Sequence, residues 1–334
     1  MRRLKPLNST NQDSSSSALS SKDLRGVFLP IPTPFDLGGD VDLQALRSNI
    51  AKWNPTGIGG YVMLGSTGER AHLDEREYLE VIETARAEVG ASNDRLAFVV
   101  GAGQQSTRGT VSEIKRVASS VDVDAFLVIT PHFYRASITQ PVLVDHYRAV
   151  ADESPVPVIL YSMPALTGIK IEPETVASLS EHENIIGIKD SSADVEGLKQ
   201  TVELVQKDFA VLTGNGTVFE PALRAGACGG ILAVGCVATA LCLEIFRAFQ
   251  SGETDRAVML QSSLTPLAAA VTTRFGIGGL KAALNMTGFA GGAVRAPLRA
   301  PDDDAREEIC ALLEAAEKVL TEVPAQSIEV SLSA

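Results

Sequence analysis

Three stretches of the sequence place reactive side chains directly after apolar runs. They are IIGIK, which ends on Lys189; YVMLGST, which ends on Gly65, Ser66 and Thr67; and PVILY, which ends on Tyr161. Apolar runs of this length are typical of strands that are buried on both faces of a parallel sheet. We therefore expect all these groups to lie at the carboxyl ends of strands, where a parallel barrel carries its active site.

Lys189 has the chemistry of a Schiff-base nucleophile. Apolar surroundings disfavour the charged form of a lysine and lower its pKa. The neutral amine can then attack a carbonyl carbon and form an imine. The alternative is a lysine at a strand end whose methylene groups carry the ammonium out to solvent.

The Gly65–Thr67 turn and Tyr161 could act on the same substrate. Backbone N–H groups of a tight turn, together with two hydroxyls, form a small anion site that suits a carboxylate. A phenol such as Tyr161 can move protons during carbinolamine formation and C–C cleavage. Each feature also has an ordinary structural explanation, namely a helix cap in a β–α turn and a core tyrosine with a satisfied hydroxyl.

The elements that would position these groups repeat along the chain. Eight apolar runs alternate with helical patterns, and the predicted strands are 26–32, 59–64, 96–101, 125–130, 157–162, 185–190, 210–214 and 229–235. This order predicts an α/β fold, a parallel (β/α)8 barrel that occupies residues 26–252. A doubly wound open sheet is the alternative, but it favours a glycine-rich turn after its first strand, and PIPTPFD (30–36) is not one.

Segments outside the barrel differ in character. Three helical patterns at 254–275, 277–288 and 302–323 predict a small C-terminal helical domain over 253–325, with Asp302 to Asp304 at the start of the last helix. Residues 1–25 form a serine-rich, basic leader that we expect to be disordered. We expect a cytoplasmic protein, with a mitochondrial location as the alternative if this leader is a transit peptide.

Composition excludes several classes of protein. The 334 residues carry a net charge of −12, whereas a nucleic-acid-binding protein normally presents a basic face. No uninterrupted apolar run is long enough to span a membrane. The four cysteines form no C-x-x-C pair and the four histidines no H-x-x-x-H pair, so we expect no metal site.

Three motifs together resemble a known family. GSTGE (65–69), LYSMP (160–164) and IIGIKD (185–190) are similar in order and spacing to pyruvate-dependent class I aldolases of the dihydrodipicolinate synthase and N-acetylneuraminate lyase family. The resemblance extends from Gly26 to about Leu298. It implies a (β/α)8 TIM barrel with a C-terminal helical domain, assembled as a homotetramer, a dimer of dimers.

The resemblance also assigns roles to residues. It implies that Lys189 forms a Schiff base with a 2-oxo acid, pyruvate, without a metal or organic cofactor, and that an aldehyde is the second partner. Ser66 and Thr67 would hold the substrate carboxylate and Tyr161 would relay protons. Gly65 and Ile231 complete the expected substrate-binding set.

Departures from the family pattern bear on the substrate. Dihydrodipicolinate synthases carry an arginine where this chain has Leu166, and leucine cannot pair with the carboxylate of aspartate semialdehyde. PHFYR (131–135), RFGIGGLK (274–281) and GGAVRAPL (291–298) resemble 4-hydroxy-2-oxoglutarate aldolase, which yields pyruvate and glyoxylate. We expect the last two motifs to lie far from the chemistry. Dihydrodipicolinate synthase and a deoxy-sugar-acid aldolase remain alternatives.

One departure bears on the proton relay. Family members usually carry a tyrosine at the position of Phe133 and donate it across a dimer interface. Phenylalanine cannot carry a proton, so Tyr134 or a water molecule would have to replace it. A catalytically weak barrel that only binds 2-oxo acids is therefore the alternative of a different class.

Overall fold

Eight parallel strands close into a barrel in the computed structural model, which describes residues 19–92 and 95–323. Each strand pairs with its neighbours in chain order, and β1 pairs with β8. The strands are β1 (Gly26–Pro30), β2 (Gly60–Met63), β3 (Ala97–Ala102), β4 (Ala125–Ile129), β5 (Val158–Ser162), β6 (Ile185–Asp190), β7 (Ala210–Thr213) and β8 (Gly229–Ile231). The predicted fold is confirmed, and β8 is shorter than its apolar run because the chain turns into a 3-10 helix at Ala233.

Helices cover the outside of the barrel. They are α1 (Leu43–Trp53), α2 (Glu75–Val89), α3 (Thr107–Ser120), α4 (Gln140–Glu153), α5 (Pro164–Thr167), α6 (Pro173–Leu179), α7 (Val195–Leu204), α8 (Phe219–Arg224) and α9 (Thr239–Gln250). The short α5 was not predicted, and it ends at Gly168 in a left-handed conformation that suits glycine. Two layers of buried side chains result, one inside the barrel and one between strands and helices.

The C-terminal part is helical, as predicted. It consists of α10 (Thr254–Ala269), which continues into a π-helical turn at Ala270–Arg274, and of α11 (Gly276–Met286) and α12 (Asp303–Glu322). The Asp302 side chain caps α12 by accepting a hydrogen bond from the Ala305 N–H at 2.9 Å. Asp303 and Asp304 lie in the first turn, where negative charge is favourable.

The end of the predicted leader belongs to the fold. Residues 1–18, and with them most of the leader, lie outside the described residues. Ser21–Asp23 form a 3-10 turn, and Leu19 and Leu24 on either side of it are buried with the barrel interior. Residues 19–25 are therefore ordered, contrary to the prediction, because these two leucines cover apolar side chains inside the barrel.

Membrane insertion finds no support in the helices. Within residues 19–92 and 95–323, none of them combines the length and the apolar character that a membrane-spanning segment requires.

Candidate active site

Lys189, Tyr161 and Ser66 meet at the carboxyl end of the barrel. β5 and β6 are paired so that Tyr161 lies opposite Lys189, and the Lys189 Nζ lies 4.4 Å from the centroid of the tyrosine ring. The Tyr161 hydroxyl is hydrogen-bonded to Ser66 Oγ at 2.8 Å. Both Lys189 and Tyr161 are only 3% exposed, so the solvent-reaching alternative for Lys189 is wrong.

A cavity of about 300 Å³ opens beside this cluster. Its lining includes Gly65, Ser66, Tyr161, Leu166 and His132. The cavity is large enough for a small organic acid, and its hydroxyl groups come from two different strand ends. Such a concave site with a few convergent polar groups is the usual form of a small-molecule site.

The Gly65–Gly68 turn lies between two residues with unusual backbone angles. Leu64 and Glu69 have φ values of 52° and 54°, and they are the non-glycine residues of the described chain with positive φ. Such a conformation costs on the order of 1–3 kcal/mol per residue and persists only where surrounding contacts enforce it. One of these contacts is a buried hydrogen bond of 2.7 Å from Thr33 Oγ1 to the Gly68 carbonyl.

Sequence reasoning missed Ser191 and Gly214. Ser191 Oγ is buried and has no hydrogen-bond partner among the described residues. A Cβ at Gly214 would collide with the Ser191 side chain and lie 2.6 Å from Lys189 Cε, so this glycine leaves room for both. The two-residue spacing from Lys189 places Ser191 on the same side of the strand, and this signal could have identified it.

Four other predicted residues do not line this cavity. Ile231 is buried in the barrel interior and Thr67 is buried within the turn, but neither belongs to the lining of the cavity. Phe133 and Tyr134 are 75% and 70% exposed and pack edge to face against each other. In this single chain they are therefore not brought together with Tyr161.

The loop that carries Phe133 is fixed by a side chain that was not predicted. Gln105 Oε1 accepts hydrogen bonds from the backbone N–H groups of His132 at 2.9 Å and Phe133 at 2.8 Å. Gln105 and His132 both line the cavity. The position of the exposed aromatic pair is thus set by a residue of the β3–α3 loop.

The two C-terminal motifs are not remote from the site, contrary to the prediction. Lys281 in RFGIGGLK forms a buried ion pair with Glu69, the last residue of GSTGE, at 2.5 Å. Arg295 in GGAVRAPL donates from its backbone N–H to Glu69 Oε2 at 3.3 Å and from Nη1 to Glu77 Oε2 at 2.6 Å. The chain between α11 and α12 folds back onto the β2 end of the barrel, which sequence spacing does not indicate.

The charged groups around this contact influence one another. Hydrogen bonds from Arg295 lower the pKa of the Glu77 carboxyl to about 2. Burial lowers the pKa of the Lys281 ammonium, and the adjacent Glu69 carboxylate opposes this change. For metal ions, the described residues contain no group of three or more His, Cys, Asp or Glu side chains that could act as ligands.

Comparisons with known proteins agree with the fold and with the family resemblance. A profile of the dihydrodipicolinate synthetase family matches residues 23–316. The 4-hydroxy-tetrahydrodipicolinate synthase of Methanothrix thermoacetophila is 37% identical over 284 residues, which cover 85% of this chain and 93% of the relative. The enzyme of the same name from Methanopyrus kandleri is 34% identical over 287 residues, 85% of this chain and 93% of the relative.

A solved structure adds a ligand to this comparison. YagE is a prophage protein of the dihydrodipicolinic acid synthase family from Escherichia coli, solved in complex with pyruvate. It superposes with a TM-score of 0.80 at 26% identity and covers 88% of this chain and 99% of its own. With the family profile and two relatives above 30% identity, this match confirms the resemblance in the three motifs. The chain belongs to the dihydrodipicolinate synthetase family and is a carbon–carbon lyase of the pyruvate-dependent class I aldolase type.

Proposed function

We propose that the reaction proceeds through a Schiff base between Lys189 and pyruvate, without a metal or an organic cofactor. The observation that carries this proposal is the meeting of Lys189, Tyr161 and Ser66 beside one cavity. A Schiff base needs an amine that can reach a carbonyl carbon. Lys189 supplies that amine next to the phenol of Tyr161.

Each neighbouring group has a role in this reaction. The Lys189 amine attacks the C2 carbonyl of pyruvate, and the Tyr161 hydroxyl transfers the protons by which the carbinolamine loses water. Ser66 holds the Tyr161 hydroxyl at 2.8 Å, and the Gly65–Thr67 turn binds the pyruvate carboxylate. Loss of a proton from the pyruvyl methyl group gives an enamine, which forms the new C–C bond with an aldehyde or, in reverse, results from its cleavage.

The aldehyde that we propose is aspartate semialdehyde. The relatives from Methanothrix and Methanopyrus are both named 4-hydroxy-tetrahydrodipicolinate synthase, and this favours the synthase over the 4-hydroxy-2-oxoglutarate aldolase that the motifs first suggested. The buried, unpartnered hydroxyl of Ser191 is a candidate contact for this second substrate. Its position two residues after Lys189 would place it near the new bond.

A carboxylate on the aldehyde requires a cation, and we propose Arg135 for this role. Leu166 is 60% exposed at the cavity and cannot pair with an anion. The Arg135 side chain packs over Gly168, two residues further along, where a Cβ would lie 2.6 Å from Nη1. Arg135 has no ion-pair partner among the described residues, so its guanidinium is available for a carboxylate.

Cleavage of 4-hydroxy-2-oxoglutarate is the second candidate, and the motifs PHFYR (131–135), RFGIGGLK (274–281) and GGAVRAPL (291–298) are the observation that favours it. Glyoxylate also carries a carboxylate, so Leu166 does not distinguish between the two aldehydes. A deoxy-sugar-acid aldolase fits the same cavity. A catalytically weak barrel rests only on Phe133, because Lys189, Tyr161 and the turn are all in place.

The proposed assembly is a homotetramer built from dimers. The exposed pair of Phe133 and Tyr134 supports it, because large aromatic side chains are enriched where protein surfaces meet. In such a dimer the Tyr134 hydroxyl could serve the relay of the neighbouring subunit. The cytoplasmic location stays a prediction.

Borohydride trapping and a substrate panel test the proposal. Pyruvate with borohydride should add a reduced pyruvyl group to Lys189, as read by peptide mass spectrometry. Aspartate semialdehyde should be consumed with pyruvate faster than 4-hydroxy-2-oxoglutarate is cleaved. Modification of another lysine, or of none, would contradict the Schiff base.

Two variants resolve the choice of aldehyde. Arg135→Met should raise the KM for aspartate semialdehyde at least about tenfold, which corresponds to the loss of one charge-assisted pair, and leave the KM for pyruvate unchanged. Leu166→Arg should lower the KM for the same aldehyde. Faster native cleavage of 4-hydroxy-2-oxoglutarate, with no effect of Arg135→Met, would favour the second candidate.

A further inference from the structure

The ion pair between Lys281 and Glu69 is among the most buried charged contacts of the molecule. Their side chains are 2% and 1% exposed, and Lys281 Nζ lies 2.5 Å from Glu69 Oε1. Lys281 also donates to the Ala293 carbonyl at 2.6 Å and lies 4.4 Å from the ring centroid of Phe35. Loss of one partner would leave a buried charge without compensation, which is strongly unfavourable.

The pair is attached to the turn that we assign to the pyruvate carboxylate. Glu69 is the residue directly after Gly68, and its φ of 54° is maintained against steric strain. Its Oε2 contacts His72 Nδ1 at 3.1 Å and accepts the Arg295 N–H at 3.3 Å. Its Oε1 has no hydrogen-bond partner of its own among the described residues, so the ammonium of Lys281 is its compensation.

The backbone links Glu69 to the reacting groups over a short distance. The Glu69 N–H donates to the Ser66 carbonyl at 3.1 Å, and the Ser66 hydroxyl bonds to Tyr161 at 2.8 Å. A change in the backbone of Glu69 would therefore move Ser66 relative to Tyr161. Positions of groups that bind a reacting substrate must be held within a fraction of an ångström.

We propose that Lys281 is a positioning residue of the active site, which holds the Ser66–Thr67 turn in its pyruvate-binding conformation through Glu69. This proposal rests on the proposed function, because it takes the turn as the carboxylate site. The C-terminal helices then contribute to substrate binding as well as to stability. A purely structural role of the pair would change stability alone.

The test compares Lys281→Met and Glu69→Gln in the full-length chain. Both should raise the pyruvate concentration for half-maximal borohydride trapping, and the pyruvate KM, at least about tenfold, which is a loss of about 1.4 kcal/mol. Lys189 should still be the residue modified at saturating pyruvate. The double variant should differ little from either single variant, because the two side chains act as one unit.

Arg256→Met is the matched control. Arg256 Nη2 forms a partly buried ion pair with Glu244 Oε2 at 2.7 Å and so connects α10 to α9, and neither residue lines the cavity beside Tyr161. This variant should lower the Tm as the Lys281 and Glu69 variants do, but leave half-maximal trapping unchanged. An equal effect of all three variants on trapping would overturn the positioning role.

The outcomes separate this proposal from the proposed function. If the native chain traps no pyruvate at Lys189, the proposed function fails. If the native chain traps pyruvate and Glu69→Gln is folded with an unchanged half-maximal concentration, the positioning role of Lys281 is overturned. Glu69→Gln preserves the side-chain shape, so this result can be read even if Lys281→Met does not fold.

Discussion

Two buried lysines of this molecule are alike in burial and in an aromatic contact and differ in their polar partners. Lys189 and Lys281 are 3% and 2% exposed. Each Nζ lies 4.4 Å from the centroid of an aromatic ring, that of Tyr161 for Lys189 and that of Phe35 for Lys281. Burial and an aromatic face are therefore common to both and do not distinguish their roles.

The carboxylate distinguishes them. Lys281 faces Glu69 at 2.5 Å, and such a pair fixes two segments of chain. Lys189 lies against the ring of Tyr161, which lines the cavity, and has no ion-pair partner within residues 19–92 and 95–323. The comparison supports the two proposals above, in which Lys281 acts as an anchor because a carboxylate engages it and Lys189 acts as a nucleophile because none does.

The largest difference is expected between two single variants, in each of which one of the lysines is changed to arginine. Lys189→Arg should abolish turnover and trapping, because a guanidinium stays protonated and cannot attack a carbonyl. Lys281→Arg should retain turnover within about tenfold of the native rate, since a guanidinium can still pair with Glu69. Steady-state kinetics and mass spectrometry after borohydride measure both. Turnover by Lys189→Arg would break the comparison.

An intermediate effect is expected at the aromatic face beside Lys189. Tyr161→Phe keeps the ring and removes the hydroxyl, and it should lower kcat on the order of 10²–10⁴-fold, as for a lost general acid–base group. Tyr147→Phe is the control, because it removes another buried hydroxyl that donates to the Val128 carbonyl at 3.1 Å. That control should lower stability with kcat unchanged. A native kcat for Tyr161→Phe would exclude the phenol from the relay.

The smallest effect on activity is expected from His146, which lies outside both lysine regions. This side chain is 4% exposed, bonds to Thr107 Oγ1 at 2.9 Å, and leaves Nε2 buried without a partner among the described residues. Burial lowers its pKa from 6.5 to about 4. Between these values the unfolded chain binds a proton that the folded chain does not, so stability falls as the pH decreases through this window.

Urea unfolding at several pH values measures this contribution. From pH 7 to pH 4 the free energy of unfolding should fall by about 3 kcal/mol more in the native chain than in His146→Gln, because one pKa unit corresponds to about 1.36 kcal/mol. The pyruvate KM of the variant at pH 7 should equal the native value. Equal pH dependence of the two chains would show that acid sensitivity originates elsewhere, for example in the Arg295–Glu77 contact.

Local pattern predicted much of the fold and the centre of the site. Runs such as 185–190 are apolar because their strands are buried on both faces, and the same burial makes Lys189 and Tyr161 stand out at their ends. The subgroup was less well predicted, because it was inferred from Leu166 and from short motifs, two of which contact the Glu69 end of the turn and do not line the cavity. A substrate is recognised by the whole cavity, which a single position does not describe.

The sequence by itself predicted the order of the strands and of the main helices, the strand ends that carry Lys189 and Tyr161, and the hydroxyl turn after β2, since these depend on periodicity and on residues close in the chain. The register that places Lys189 opposite Tyr161 is a property of the closed barrel. Only the tertiary structure decided that Arg295 meets Glu69, which is 226 residues away, and that Lys281 neutralises the same carboxylate. A contact of this kind leaves no local period, because it forms only when the C-terminal helices have packed against the closed barrel. Burial of the charged groups then makes their pairing obligatory.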